Sequence, residues 1–441
     1  MYYDSQVKII NEPQIICEAT QYYSADRDHR NTFRILFRLQ DKVEGDLLQQ
    51  AVQQAIKRHP YYALRCCVNE EQYYLEPHHG PIAVLCTPDP VELGGEASNG
   101  YLLSVSYWED VVWVNFFHGL ADGKGAMNFS RTMLYYYCRA RYDEQLQAGD
   151  IRINGGPIPV EEWENPYIAI MKGERKLPTE EEIAVNIKLN SKQKVLNLYD
   201  DPRITVTKPH SFRLRIAEAE LMKYCRVQDG TPAVVFSLLL TRAIDKLNPD
   251  SDCEIVTGMT VNLRPALEAP HYPGSTITLA YLPYSEKLHN MPFTQQATIY
   301  RGRLILAADQ ERLQADIQNS TRLYRKIYET KSLEGKRQLV RHIIDSYKGA
   351  STFQVSYVGP AQLGSVEPYV VETQLQNDGA SGAITMEMMA SGGSFYLEFV
   401  QEWKEELYFQ AFCEELTSQG IEFTLLGKGE NEVPDIQLPC I

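Results

Sequence analysis

No Cys-x-x-Cys pair occurs among the nine cysteines of this 441-residue chain, which are scattered apart from the adjacent Cys66 and Cys67. Neither a zinc site nor a disulfide framework is therefore signalled, and a reducing cytoplasm is the expected compartment. The stretch from Met1 to Asn11 has no sustained apolar core, so no secretion signal is expected. The longest helical apolar run, Ala233 to Thr241, is too short to span a bilayer and ends at Arg242. No dense basic run appears and the formal net charge is -15, which argues against a nucleic-acid partner. That acidity is otherwise what keeps many proteins soluble. Gly-x-Ser-x-Gly, His-Glu-x-x-His and a phosphate-cradling Gly-Lys-Ser/Thr are all missing, so serine hydrolase, zinc protease and P-loop chemistries lack their opening motif.

What is present is a globular composition, 44% hydrophobic and 23% charged, in a chain too long for one compact core. Tyrosines number 28 against 14 phenylalanines; most are expected in the packing of a large fold, and a few suit a cleft for partly polar small molecules. Phe33, Ile35, Phe37 and Leu39 alternate with polar residues as a half-buried strand. Asp46 and Gln49 have the spacing of a capping pair for a helix that ends at Arg58-His59-Pro60. Leu102 to Trp108 and Val111 to Phe117 predict a hairpin whose second arm, apolar on both faces, is a central strand. Beyond a polar connection from about Lys172 to His210, a second set of elements begins. A strand at Phe212–Ile216, a helix ending at Leu247 and a strand at Glu254–Asn262 precede a long helical region, Thr294 to Lys348. Strands at Thr352–Val358, Ala383–Met389 and Ser394–Gln401 follow, the last two joined at Ser391-Gly392-Gly393. Mixed helices and strands in both halves, with no short tandem repeat, predict an α/β protein of two lobes.

His118-x-x-x-Asp122-Gly123 lies where the buried strand empties into a glycine-bearing turn before a helix. An imidazole there suits proton abstraction near neutral pH, and Phe116 and Phe117 should disfavour its charged form. Asp122 either orients the imidazole or faces away and holds the turn. Gly123 and Gly125 let backbone approach a ligand closely, with Gly123 the expected cofactor-side contact. On this motif alone, a histidine satisfied by hydrogen bonds in a core turn is the stronger reading. His59, at a helix end, and His78-His79, in a loop, are not expected to be metal ligands.

Three further segments change the balance. Arg58-His59-Pro60 closes the first helix, Asn262-Leu263-Arg264-Pro265 ends one strand, and Val355-Ser356-Tyr357-Val358-Gly359 ends another. In this order, with the His-x-x-x-Asp-Gly turn, the chain resembles the alcohol acetyltransferases and condensation domains of the coenzyme A-dependent acyltransferase superfamily over nearly its whole length. The resemblance implies two chloramphenicol acetyltransferase-like lobes, residues 1–185 and 186–441, with a tunnel between them. It implies His118 as general base, Asp122 turned away from it toward an arginine, here Arg264, and Ser356 near the developing oxyanion. Asn262 and Arg264 then support the site. The segment Ser-Tyr-Val-Gly departs from the usual Ser-Asn-x-Gly, and Phe117 replaces the first histidine of peptide-synthetase condensation domains. The Asp-Phe-Gly-Trp-Gly segment of plant acyltransferases is missing too.

The function implied is acyl transfer from a thioester to the hydroxyl or amine of a small acceptor. Acyl-coenzyme A or an acyl-phosphopantetheine is the expected co-substrate, with no permanently bound cofactor and no metal. The alternatives are a carrier-protein-dependent condensing enzyme and a non-catalytic ligand-binding or scaffold protein. The intact His118, Asp122 and Gly123 speak against the last.

Overall fold

The computed structural model describes residues 19–26, 29–179, 181–182, 194–347, 349–379 and 382–440. The expected lobe boundary at 185/186 and the helix end at Lys348 lie outside them. In chain order the first strands are β1 Thr32–Leu39, β2 Leu64–Val68, β3 Tyr73–Pro77, β4 Val84–Cys86, β5 Leu103–Trp108 and β6 Val111–Phe117. The remainder are β7 Val206–Ala217, β8 Ile255–Asn262, β9 Ile277–Tyr284, β10 Phe353–Pro360, β11 Val370–Asn377, β12 Ile384–Ser391, β13 Ser394–Trp403 and β14 Thr424–Glu430.

Among the described residues these strands form two large sheets, ordered β11-β1-β6-β5-β4 and β14-β7-β13-β12-β10-β8-β9, and a small β2-β3 pair. The architecture is thus α/β with two lobes. Every residue of β6 is buried, and it sits at the centre of the five-stranded sheet, as a strand apolar on both faces must. Helices Gly45–Arg58 and Gly123–Arg141 pack against each other over this sheet's core. In the seven-stranded sheet, helices Pro232–Leu247 and Leu407–Ser418 cover one face, where Val355, Met386 and Met388 join the core. Alternation along β10 and β12 therefore turns Gln354, Ser356, Thr385 and Glu387 to the opposite face.

The strand β11, from the second half of the sequence, pairs with β1 in the first sheet, with Phe33 opposite Asn377. The chain then returns to the second sheet at β12, so the two lobes are laced together by backbone. Three local expectations are revised. The helix Gly45–Arg58 has Glu44 as its N-cap with no side-chain cap, and Gln49 bonds the Ile82 carbonyl instead of completing a capping pair with Asp46. The long helical region is three helices, Phe293–Ala307, Gln310–Glu329 and Leu333–Tyr347. Asp309 restarts the second by accepting from the Glu311 and Arg312 N–H groups, which a continuous helix would have bonded itself. His59 is more than a helix-end residue: it is fully buried, with its ring nitrogens hydrogen-bonded to Tyr61 and Thr132.

Candidate active site

The turn after β6 is fixed from several directions. The His118 N–H donates to the Asn31 carbonyl at 2.7 Å. Asn31 adopts a left-handed φ of 51°, held by its own N–H to Asp378 Oδ2 at 2.5 Å and its amide to the Gln21 carbonyl and Ser24 Oγ. Tyr22 bonds the Gly119 carbonyl at 3.1 Å and sets its ring edge-on to Phe117. A Cβ at Gly119 would lie 2.5 Å from that tyrosine ring, so a larger residue would displace the turn. The His118 ring itself packs against Phe33, with ring centroids 4.6 Å apart.

Asp122 caps the following helix, accepting from the Gly125 N–H at 3.0 Å. The same oxygen accepts from Arg264 at 2.8 Å. Of the two sequence alternatives for Asp122, the geometry matches the one that holds the turn. Arg264, 3% exposed, also donates to the carbonyls of Tyr272 and Gly274, and its backbone N–H is accepted by Asn262 Oδ1. The loop so anchored presses its Pro273 carbonyl on Gly125, where any Cβ would overlap it, and accepts the Asp122 N–H. Asp122, Arg264 and the 272–274 loop are therefore one latch between the two halves of the sequence.

His118, Asp122, Gly123, Asn262, Arg264 and Ser356 all line a single cavity of about 2250 Å³. Residues from both sheets bound it, which is what a passage between lobes requires. Burial lowers the His118 pKa from its ordinary value; Asp378, Asp122 and a hydrogen bond to its own backbone pull it partway back. A neutral imidazole with an unprotonated nitrogen is the outcome near neutral pH. Gly123 faces the Val358 side chain across the cavity wall, close enough that a Cβ would touch it.

Ser356 hydrogen-bonds the carboxyl of Glu387, its partner on the neighbouring parallel strand. Asn377 donates its side-chain amide to Glu387 at 3.2 Å and its backbone N–H to Glu398 at 2.8 Å. Burial raises the Glu387 carboxyl to about 7 and the Glu398 carboxyl to about 8. The sequence reading missed Asp378 and Glu387. Asp378 follows a strand without clear alternation, VVETQLQN, and left no signal. Glu387 did leave one: in Thr-Met-Glu-Met-Met, polar residues alternate with methionines along a strand that is buried throughout. Among the described residues no group of three or more histidine, cysteine, aspartate or glutamate side chains could hold a metal ion. No described helix is long and apolar enough to cross a membrane.

No protein-family model matches the sequence. No curated protein matches it either. Solved structures do match the fold. F. graminearum TRI101, in complex with coenzyme A and deoxynivalenol, superposes with a TM-score of 0.57 at 12% identity, covering 92% of this chain and 98% of that one. Polyketide synthase associated protein 5 from Mycobacterium tuberculosis gives 0.58 at 14% identity over 92% and 98%. The first condensation domain of the CDA synthetase gives 0.60 at 12% identity over 95% and 99%. The chain has the two-lobed chloramphenicol acetyltransferase-like fold of these proteins across nearly its full described length.

Proposed function

We propose that this two-lobed chain is an acyltransferase that moves an acyl group from acyl-coenzyme A to a hydroxyl or amine of a small acceptor, with His118 as general base. The observation that carries this is a burial-neutralised imidazole on the wall of a large cavity bounded by both sheets, on a turn fixed by the Asp122–Arg264 latch. That TRI101, a protein of the same fold, was solved with coenzyme A supports the choice of donor.

In the reaction, the acceptor's O–H or N–H proton passes to the unprotonated nitrogen of His118 as its oxygen or nitrogen bonds the thioester carbonyl carbon. The tetrahedral oxyanion then collapses, the C–S bond breaks, and the departing thiolate takes the proton from the imidazolium. Asp122 acts at one remove: with its oxygen committed to Arg264 and Gly125, it fixes where the imidazole stands. Ser356 is assigned to the oxyanion, and its single hydroxyl proton must turn from Glu387 to that oxygen. The nucleophile attacks the thioester directly, so kinetics are sequential and no covalent acyl-enzyme forms. Gly123, on the cavity wall, leaves room for the thioester's arm.

The test is thiol release from acyl-coenzyme A donors of graded chain length against mixed alcohols and amines, with His118→Ala in parallel. Acceptor-dependent release lost in the variant supports the reading. Release that His118→Ala leaves near normal, or none with any donor, overturns it.

A further inference from the structure

The face of the second sheet turned toward the cavity carries a polar patch of which the proposed mechanism uses only Ser356. On adjacent parallel strands Gln354 stands opposite Thr385 and Ser356 opposite Glu387, a two-by-two block whose members all line the cavity. The intervening Val355, Met386 and Met388 point into the core, so the register fixes the direction of all four. Glu387 is 3% exposed, and the Ser356 hydroxyl and Asn377 amide approach it as neutral hydrogen-bond donors. Thr385 is 2% exposed, and its Oγ1 meets no hydrogen-bond partner among the described residues.

From this geometry we infer that Glu387 and Thr385 form an acceptor-orienting subsite for an ammonium group carried by the acceptor alongside its nucleophilic hydroxyl or amine. Once ionised, a carboxyl already served by two donors has only accepting capacity left, so a ligand that stabilises the charge must donate. Buried charge is tolerated when an opposite charge accompanies it, and an ammonium supplies both the donors and the charge. Thr385 Oγ1, two residues along the same face, offers one more acceptor for the same three-proton head. Burial disfavours the ionised Glu387 when the cavity holds no cation, consistent with a site completed by its ligand. Which molecule the subsite serves rests on the acyl-transfer reading; binding of the ammonium does not.

Two measurements separate these. Calorimetry with a graded series of ω-amino alcohols and tyramine, each against the neutral compound in which methyl replaces ammonium, reads the subsite without any donor. At least one amine should bind on the order of tenfold to a hundredfold more tightly than its neutral counterpart. That preference should collapse toward one in Glu387→Gln and shrink in Thr385→Val, which reports on the patch even if the first variant folds poorly. Equal binding of amine and isostere across the series, or a preference surviving in both variants, overturns the inference. Thiol release with the same compounds and acyl-coenzyme A donors of graded chain length is the second arm. Preferential binding without any turnover supports the subsite and removes acyl transfer; turnover without preference removes the subsite alone.

Discussion

The two walls of the cavity handle buried charge in opposite ways. On the His118 side, Asp122 is committed to an arginine and a helix N-terminus, and the arginine to two further carbonyls. On the β10–β12 side, Glu387 leans on a serine and an asparagine, and Thr385 Oγ1 has no partner among the described residues. A network tied on several sides fixes geometry, while one with an unpartnered oxygen leaves hydrogen-bonding capacity for something that arrives. In the proposed reaction the first wall places the reacting proton, and in the inferred subsite the second grips a substrate.

The sharpest way to break this comparison is to empty the first wall. His118→Ala should keep its melting temperature within a few degrees and lose turnover by a factor on the order of a hundred to ten thousand. Near-normal turnover under saturating acceptor would mean the rigid wall serves folding alone.

Next is the latch. Asp122→Ala leaves Arg264 buried without its anion and should cost about 3 to 5 kcal/mol of unfolding free energy in a denaturant titration. The double variant with Arg264→Met should cost less than the sum of the single changes, because the two groups act as one pair. Additive costs would dissolve the latch.

Gly125→Ala forces a methyl into the Pro273 carbonyl and should destabilise by about 1 to 3 kcal/mol, whereas the same change at Gly156, where a Cβ meets nothing within 4 Å, should be close to neutral. Matching melting temperatures for the two variants would show that the 272–274 loop yields.

Titration distinguishes the walls by sign. The His118 pKa is lowered, so kcat/KM should rise with pH through an ionisation below the ordinary imidazole value and then level off. Glu387 and Glu398 are raised, to about 7 and about 8, Glu398 despite the nearby Arg213 and Arg34. A carboxyl held as the acid by the fold contributes stability fully below its unfolded value, about 4.3, and loses it as pH rises through the folded one. Melting temperature should therefore decline as pH rises from about 4.3 toward about 8 and level off above that, less so in Glu398→Gln. An unchanged decline in that variant would place its source elsewhere. The smallest effect expected is that of Ser356→Ala, whose loss in kcat should stay below the factor of about a hundred typical of losing a dedicated oxyanion donor, because Glu387 competes for its proton.

Much of the first wall was legible in the sequence because its determinants are local. A seven-residue run apolar but for Asn115 reads as a central strand, and the glycine-bearing turn and helix after it follow by contiguity. The Asp122–Arg264 contact spans 142 positions, and it came into view through a resemblance of motifs, not through spacing. The second wall was only half legible. β10, β12 and β13 were expected close to where they lie, yet periodicity along a strand cannot say which strand becomes its neighbour, so the block formed with Glu387 stayed hidden. Asp378 was out of reach for the same reason: its effect on His118 depends on β11 leaving its own half to join β1.

By itself, then, the sequence determined the elements, the turn that presents His118 and the two-lobed α/β class, because hydrophobic period and turn chemistry act over a few residues. Tertiary structure decided which carboxylate is paired and which is not, and how far the imidazole's proton affinity falls. Those depend on desolvation and on charges brought together from positions hundreds of residues apart, and no local pattern encodes them.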